Sequence, residues 1–296
     1  MFPGFLESYD LSQTIVPNFK CPIVYTTFEL IHMHSVSRAI TLIHEAEAVA
    51  VFAGAGMSVD SGLLPFRGED GLWTKSIAID GKSYSHLDLM SHHAFIESPN
   101  AAWEFMLRLK EKYAQTTPHE GYSRLLDVLK DKEHFIVTSN IDEHFLKAGF
   151  DEHSIFECHG SVNYMQCLDI LEREVWLTPE IKTENLQLED LPTCPNCGSR
   201  CRPNVLLFGD WFWIPIRSTH QQLRYIKWCK EMKATKRKVV ALEIGAGKTI
   251  RTIRNAAESF TITEFPLIRV NPFDEETTSP NHVSVQMSAK EFLMSL

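Results

Sequence analysis

Ala48-Val49-Ala50-Val51-Phe52-Ala53 is an unbroken apolar run of strand length, and it stops at Gly54-Ala55-Gly56. A strand with no polar alternation is buried on both faces, and parallel sheets covered by helices contain such strands. A buried strand running straight into a glycine turn is how nucleotide-binding α/β domains begin. The pattern recurs. His134-Phe135-Ile136-Val137-Thr138-Ser139, Ser154 to Cys158, Lys238 to Ile244 and Pro266 to Asn271 read as further strands, and the run to Ile244 again ends in glycine, at Gly245-Ala246-Gly247. Helical segments fall between them: one begins at Ser35, with Ile40, Leu42, Ile43 and Ala46 as its apolar residues, and residues 83–130 read as mostly helical. Strands alternating with helices predict a parallel sheet with its ligands at the strand C-termini.

The expected fold is therefore α/β: a Rossmann-like parallel-sheet domain formed by residues 35–160 and 204–296. A helical insertion covers about 68–130, and residues 1–34 form an N-terminal extension. Residues 161–203 differ in character, being charged, irregular and cysteine-bearing, and read as a small inserted module.

Composition narrows the function. The net charge of −9 argues against general nucleic-acid binding, which needs cationic surface to displace counterions. The basic run from Arg224 to Lys238 reads as the solvated face of a helix. No apolar run approaches the ~20 residues of a membrane helix, and Met1 to Asp10 does not read as a secretory signal. The seven cysteines are an odd number, with four gathered between Cys167 and Cys201, which favours metal binding in a reducing, cytoplasmic compartment over a disulfide framework.

Gly54-Ala55-Gly56-Met57-Ser58 would let backbone approach a pyrophosphate, with amides at a helix start facing the charge. The G-x-G-x-x-G fingerprint is absent, since position 59 is Val. Gly245-Ala246-Gly247-Lys248-Thr249 fails as a phosphate-binding P-loop, because Leu242 stands where its first glycine belongs. In Cys194-Pro195-Asn196-Cys197-Gly198 one turn aims two thiolates at a single point, which suits a structural zinc knuckle. Cys167 is a third candidate ligand; Ile170 stands three residues later, so either Cys201 is the fourth or the set is incomplete. Thr138-Ser139-Asn140-Ile141-Asp142 and Cys158-His159-Gly160 both follow apolar strands. Asn140 and Asp142 there can orient a ribose or a water, and His159 can take a proton near neutrality.

Taken in order, these segments resemble the sirtuin family. Gly54 to Ser58, Phe66-Arg67-Gly68, Thr138 to Asp142, His159-Gly160, Cys194 to Cys197, and Arg202-Pro203-Asn204-Val205 through Phe208-Gly209-Asp210 are similar to its G-A-G-x-S, F-R-G, T-Q-N-I-D, H-G, C-x-x-C and R-P-x-V-x-x-F-G-E signatures. The resemblance spans about residues 35–275. It implies NAD as co-substrate, a structural zinc, and an acyl-lysine protein or peptide in the cleft between the domains. It implies that Gly54, Ala55, Gly56, Ser58, Phe66, Arg67, Ser139, Asn140, Asp142, Gly245, Gly247 and Asn271 contact the cofactor. His159 would be the general base, working with Asn140 and Asp142, and Val205, Leu206 and Phe208 would strand-pair with the peptide.

The sequence departs from the family in four places. Leu63-Leu64-Pro65 replaces Ile-Pro-Asp, Ser139 replaces the glutamine, Ile170 replaces a zinc cysteine, and Asp210 replaces the glutamate. Met106 and Leu109 occupy the positions where relatives specific for acidic acyl groups carry Tyr and Arg, so no guanidinium awaits a carboxylate there. The implied activity is protein-lysine deacylation, most of all deacetylation. An NAD glycohydrolase or an ADP-ribosyltransferase is the alternative on the same fold.

Overall fold

The computed structural model describes residues 27–64, 71, 75–169, 173–181, 186–261, 265–277 and 279–296. Eleven strands occur among them: β1 Ala48–Ala53, β2 Ser76–Ile79, β3 Lys82–Ser85, β4 Glu133–Thr138, β5 Ile155–Glu157, β6 Gly160–Cys167, β7 Val175–Leu177, β8 Cys201–Val205, β9 Val239–Ile244, β10 Leu267–Val270 and β11 Val283–Val285. Six of them form one sheet in the order β11-β10-β9-β1-β4-β5, with every neighbouring pair parallel. Numbered among themselves along the chain, these six run 3-2-1-4-5-6 across the sheet, the dinucleotide-binding order. The fold is Rossmann-like. Its order reverses between β1 and β9, the point at which sheets of this kind bind their ligands.

The alternation in β1 shows why the strand is apolar throughout. Val49, Val51 and Ala53 face one core layer with Ile43, Tyr122, Leu125 and Phe292. Ala48, Ala50 and Phe52 face the other, against Trp228, Ala257 and Phe260. Helices therefore cover both faces, and all six β1 residues are fully buried. The basic run lies largely on the helix Ile216–Ala234, which turns Trp228 and Met232 inward and leaves Lys227, Lys230 and Lys233 exposed.

Several elements differ from the sequence reading. The first helix begins at Thr27, within the segment read as an extension. The segment read as a helical insertion carries the β2–β3 hairpin, turning on Asp80 (φ 49°) and Gly81 (φ 74°). Two successive positive-φ residues are what a tight two-residue hairpin turn requires, and Asp-Gly supplies them. Strand β11 and the helix Ala289–Met294 went unforeseen, since a three-residue strand has no periodicity to read. Between the two parts of the main sheet, β6, β7 and β8 form a three-stranded antiparallel sheet in the order β7-β6-β8. Its apolar residues share a core with the helix Pro99–Gln115.

Register aligns the strand ends. Ala53 pairs with Thr138 on one side and with Ile244 on the other, and Ile244 pairs with Val270. The next residues, Gly54, Ser139, Gly245 and Asn271, therefore leave four adjacent strands at one level. A Cβ on Gly54 would sit 2.7 Å from the Gly245 oxygen, and one on Gly245 (φ +66°) would sit 2.2 Å from the Met57 nitrogen. The two glycine turns interlock, backbone on backbone, and no side chain fits between them. Replacing Gly245 with Ala is expected to cost more than about 2 kcal/mol, from left-handed strain plus steric overlap. Urea unfolding measures it; a loss below about 0.5 kcal/mol would contradict the interlock.

Candidate active site and cysteine cluster

At the carboxyl edge of the sheet each strand end is tied to its neighbour. Ser139 N donates to Ala53 O (3.2 Å), Gly54 N to Ile244 O (3.0 Å) and Gly245 N to Val270 O (3.0 Å). Thr138 Oγ1 donates to Ala53 O and accepts from Asn140 N, both at 3.0 Å, and so bends the chain that carries Asn140 and Asp142. Three side chains meet beyond that bend. Ser58 Oγ donates to Asp142 Oδ2 (2.6 Å), and Asn140 Nδ2 donates to Gly54 O (3.1 Å) and Ser58 Oγ (3.2 Å). The other Asp142 oxygen accepts from His144 N (3.0 Å). All three residues are buried. The structure thus brings Gly54, Ser58, Asn140 and Asp142 into one hydrogen-bonded group beside Ala55, Gly56 and Gly245.

Sequence reading missed a member of this group. Tyr122 lies in the helix Glu120–Leu129, and its hydroxyl is 2.9 Å from Ser58 Oγ. Sixty-four residues separate the two, and nothing local in the sequence announces the contact.

Asn271 is engaged at both ends of its amide within the structure itself. Its Nδ2 donates to Ala246 O (3.0 Å), and its Oδ1 accepts from Phe273 N and Asp274 N (each 3.0 Å). It shapes the second glycine turn from within. Gly247 is exposed, and a Cβ there would meet only Asp274 Oδ2, at 3.8 Å. Phe66 and Arg67 lie outside the described residues.

His159 stands just before β6. Cys158 N donates to Thr138 O (2.9 Å), so His159 emerges next to the strand that delivers Asn140. Gly160 (φ +78°) is obligatory, because a Cβ there would fall 2.1 Å from Asn204 O. The His159 carbonyl accepts from Leu206 N (2.9 Å), which sets the segment after β8 alongside it. Burial pushes the His159 imidazole down to about 4, so the ring is neutral at pH 7.

The segment expected to pair with a peptide is already occupied in part. Leu207 N donates to Asp210 Oδ2 (3.3 Å), Phe208 N to Met90 O (3.3 Å), and the Val205 carbonyl accepts from Arg202 Nη1 (3.1 Å). Asp210, the residue standing for the family's glutamate, forms a fully buried pair with Arg202 at 2.6 Å. A buried pair of this kind fixes the turn, and losing one partner would strand a charge. Val205 is buried, Leu206 half-buried and Phe208 exposed. Met106 and Leu109 are buried in the apolar core with Trp103.

In the small module, Cys167 at the end of β6 meets the Cys194–Cys197 turn. The three sulfurs lie within 4.8 Å of one another, with Cys167 and Cys197 3.6 Å apart. Gly198 N closes the turn onto Cys194 O (2.9 Å), and Asp169 N donates to Cys167 Sγ (3.2 Å). Three thiols converging with backbone N–H support is a donor set that fits zinc. Cys201, the fourth candidate, lies opposite Cys167 in the strand register, and its sulfur is not among the three that lie within 4.8 Å of one another. Cys197→Ser is therefore expected to lose stoichiometric zinc and Cys201→Ser to retain it, by elemental analysis. Zinc retained by Cys197→Ser would refute the cluster.

The Sir2 family profile matches residues 54–232 of this chain. The "NAD-dependent protein deacylase 2" of Archaeoglobus fulgidus is 32% identical over 199 residues, 66% of this chain and 71% of that protein. The "NAD-dependent protein deacylase" of Thermus thermophilus is 25% identical and is matched over 88% of this chain and 92% of its own length. Among solved structures, a Sir2 homologue in complex with NAD superimposes with a TM-score of 0.66 at 22% identity, covering 88% of this chain and 91% of that one. A Sir2 protein bound to a deacetylated peptide and 3'-O-acetyl ADP-ribose gives 0.60 at 21% identity, over 88% and 96%. Fold and strand-end geometry define a Rossmann-type dinucleotide domain with an inserted cysteine module. The chain belongs to the Sir2 family.

Protonation of His159 gives a further expectation. Its folded-state affinity for a proton is lowered from 6.5 to about 4. Between those values the unfolded chain binds the proton and the folded chain does not, so this contribution to stability is full above pH 6.5 and lost as pH falls toward 4. His159→Gln should lose less stability than wild type between pH 7 and pH 4.5 in urea titrations. Equal losses would contradict the burial argument.

Proposed function

We propose that this chain is an NAD-dependent protein-lysine deacylase, acting on acetyl-lysine in a protein or peptide, and releasing nicotinamide as the acyl group passes to ADP-ribose. The observation that supports this reading is the buried Ser58–Asn140–Asp142 group beside the interlocked glycine turns, with His159 following the end of the neighbouring strand β5. NAD, as co-substrate, supplies the labile nicotinamide–ribose bond. Glycine turns without side chains suit a pyrophosphate. Phe66, Arg67, Ser139, Gly247 and Asn271 are the further residues we assign to cofactor contact, Asn271 by shaping the turn. Asn140 and Asp142 orient the ribose and a water, and neutral His159 takes a ribose-hydroxyl proton.

The acyl-lysine peptide is assigned to Val205, Leu206 and Phe208. With the Leu206, Leu207 and Phe208 amides engaged, an incoming strand must use the carbonyls of this segment or displace Met90 from Phe208. The buried Met106 and Leu109 provide no fork for an acidic acyl chain. Structural zinc at Cys167, Cys194 and Cys197 holds the module together. Free cysteines fit a reducing, cytoplasmic setting, and among the described residues no helix is long and apolar enough to cross a membrane.

The occupied edge is the observation that favours the second reading, NAD hydrolysis or ADP-ribose transfer. Nicotinamide release with and without an acetyl-lysine peptide separates the two: dependence on peptide supports deacylation, and independence supports a glycohydrolase. In the first case His159→Ala should cut turnover by about 10²–10⁴-fold while NAD binding and melting temperature persist. A folded variant with undiminished deacylation would remove His159 from the mechanism.

A further inference from the structure

Ser58 Oγ carries three hydrogen bonds. It donates its only proton to Asp142 Oδ2 and accepts from Asn140 Nδ2. With that proton spent, the Tyr122 hydroxyl 2.9 Å away must be the donor between the two. One hydroxyl thus has its donor and both acceptor sites filled, and its orientation is fixed. A serine hydroxyl free to rotate would divide its time between acceptors, and Asp142 would have no fixed partner on that side.

The surroundings keep Tyr122 at this task. Its ring is fully buried and packed edge-on against Phe145 (5.0 Å) and His144 (5.7 Å) and tilted against His119 (4.9 Å). Its helix starts at a clamp on the first glycine turn. His119 Nε2 lies 3.0 Å from Met57 O, its Nδ1 accepts from Gly121 N (3.0 Å), and His119 N donates to Ser61 Oγ (3.0 Å). The helix that carries Tyr122 is thereby registered to the residue next to Ser58. His144, whose ring nitrogens are both buried without a partner, offers no competing acceptor bond to the phenol.

We infer that Tyr122 is a positioning residue which, by donating to Ser58, sets the orientation of Asn140 and Asp142 for the reaction. The inference rests on the proposed deacylase reading. The phenol is fully buried against Ser58, and its effect passes through that hydroxyl. Burial and the nearby Asp142 push its acidity down, so it stays a donor across the working pH range.

Tyr122→Phe removes one oxygen and keeps the ring packing. The test is steady-state kinetics of the full chain with NAD and an acetyl-lysine peptide, beside a melting curve. The expected result is a fall in kcat of about tenfold or more, KM for the peptide within twofold, and little change in melting temperature. A purely packing role would change melting and leave kcat per folded molecule intact. Ser58→Ala and the double variant complete a cycle: once Ser58 is gone, removing the phenol should cost no further activity. Full additivity of the two losses overturns the inference, as does a Tyr122→Phe protein with kcat within twofold of wild type. If Tyr122→Phe is poorly folded, the Ser58→Ala background still reads the coupling, through the activity of the folded fraction. Wild-type protein with no NAD-dependent deacylation would instead sink the deacylase reading, an outcome visible before any variant is made.

Discussion

The site depends on two backbones meeting where the strand order of the sheet reverses. Gly54 and Gly56 lie against Gly245 so closely that none of the three could carry a Cβ. Parallel strands leave their carboxyl ends open at such a point, and side chains would ordinarily fill the gap. Here glycine lets the two backbones close on each other, so that amides and carbonyls form the floor. The register of β1, β4, β9 and β10 delivers Gly54, Ser139, Gly245 and Asn271 to that floor together. A slip of one residue in any of these strands would move its side chains to the opposite face of the sheet and carry its site residue away from the level of the others.

Buried polar groups then determine what the floor can do. A polar side chain removed from water without a partner costs roughly 1–3 kcal/mol, so partners must be found inside the protein. Ser58, Asn140, Asp142 and Tyr122 find each other, and Thr138 bends the chain that makes this possible. Arg202 and Asp210 do the same for the segment beside His159. His159 is treated differently: it is partly buried with little to favour its charge, and it therefore stays neutral.

Much of this could be read in the sequence. The apolar runs before Gly54 and Gly245 identified two central strands and the turns that matter, because a strand buried on both faces leaves a continuous signature. The order of short motifs pointed to the family, and the Cys194–Cys197 turn to a metal cluster. What escaped was long-range or brief. Tyr122 reaches Ser58 across the fold, and neither residue advertises the other. Cys201 is near the Cys194–Cys197 turn in sequence, and the tightest group of sulfurs forms without it, from Cys167 at the far end of β6. The β2–β3 hairpin is too short for periodicity, and only its Asp-Gly turn marked it. The internal use of the Leu207 and Phe208 amides could not be anticipated, since it depends on Asp210 and on Met90 from a distant helix end.

We propose above all that NAD held on the glycine floor reacts with an acyl-lysine under the control of His159 and the Ser58 group. Mass spectrometry of the products from NAD and an acetyl-lysine peptide tests this most directly. Deacetylated peptide, nicotinamide and acetylated ADP-ribose are predicted in equal amounts. Free ADP-ribose formed while the peptide keeps its acetyl group would contradict the claim.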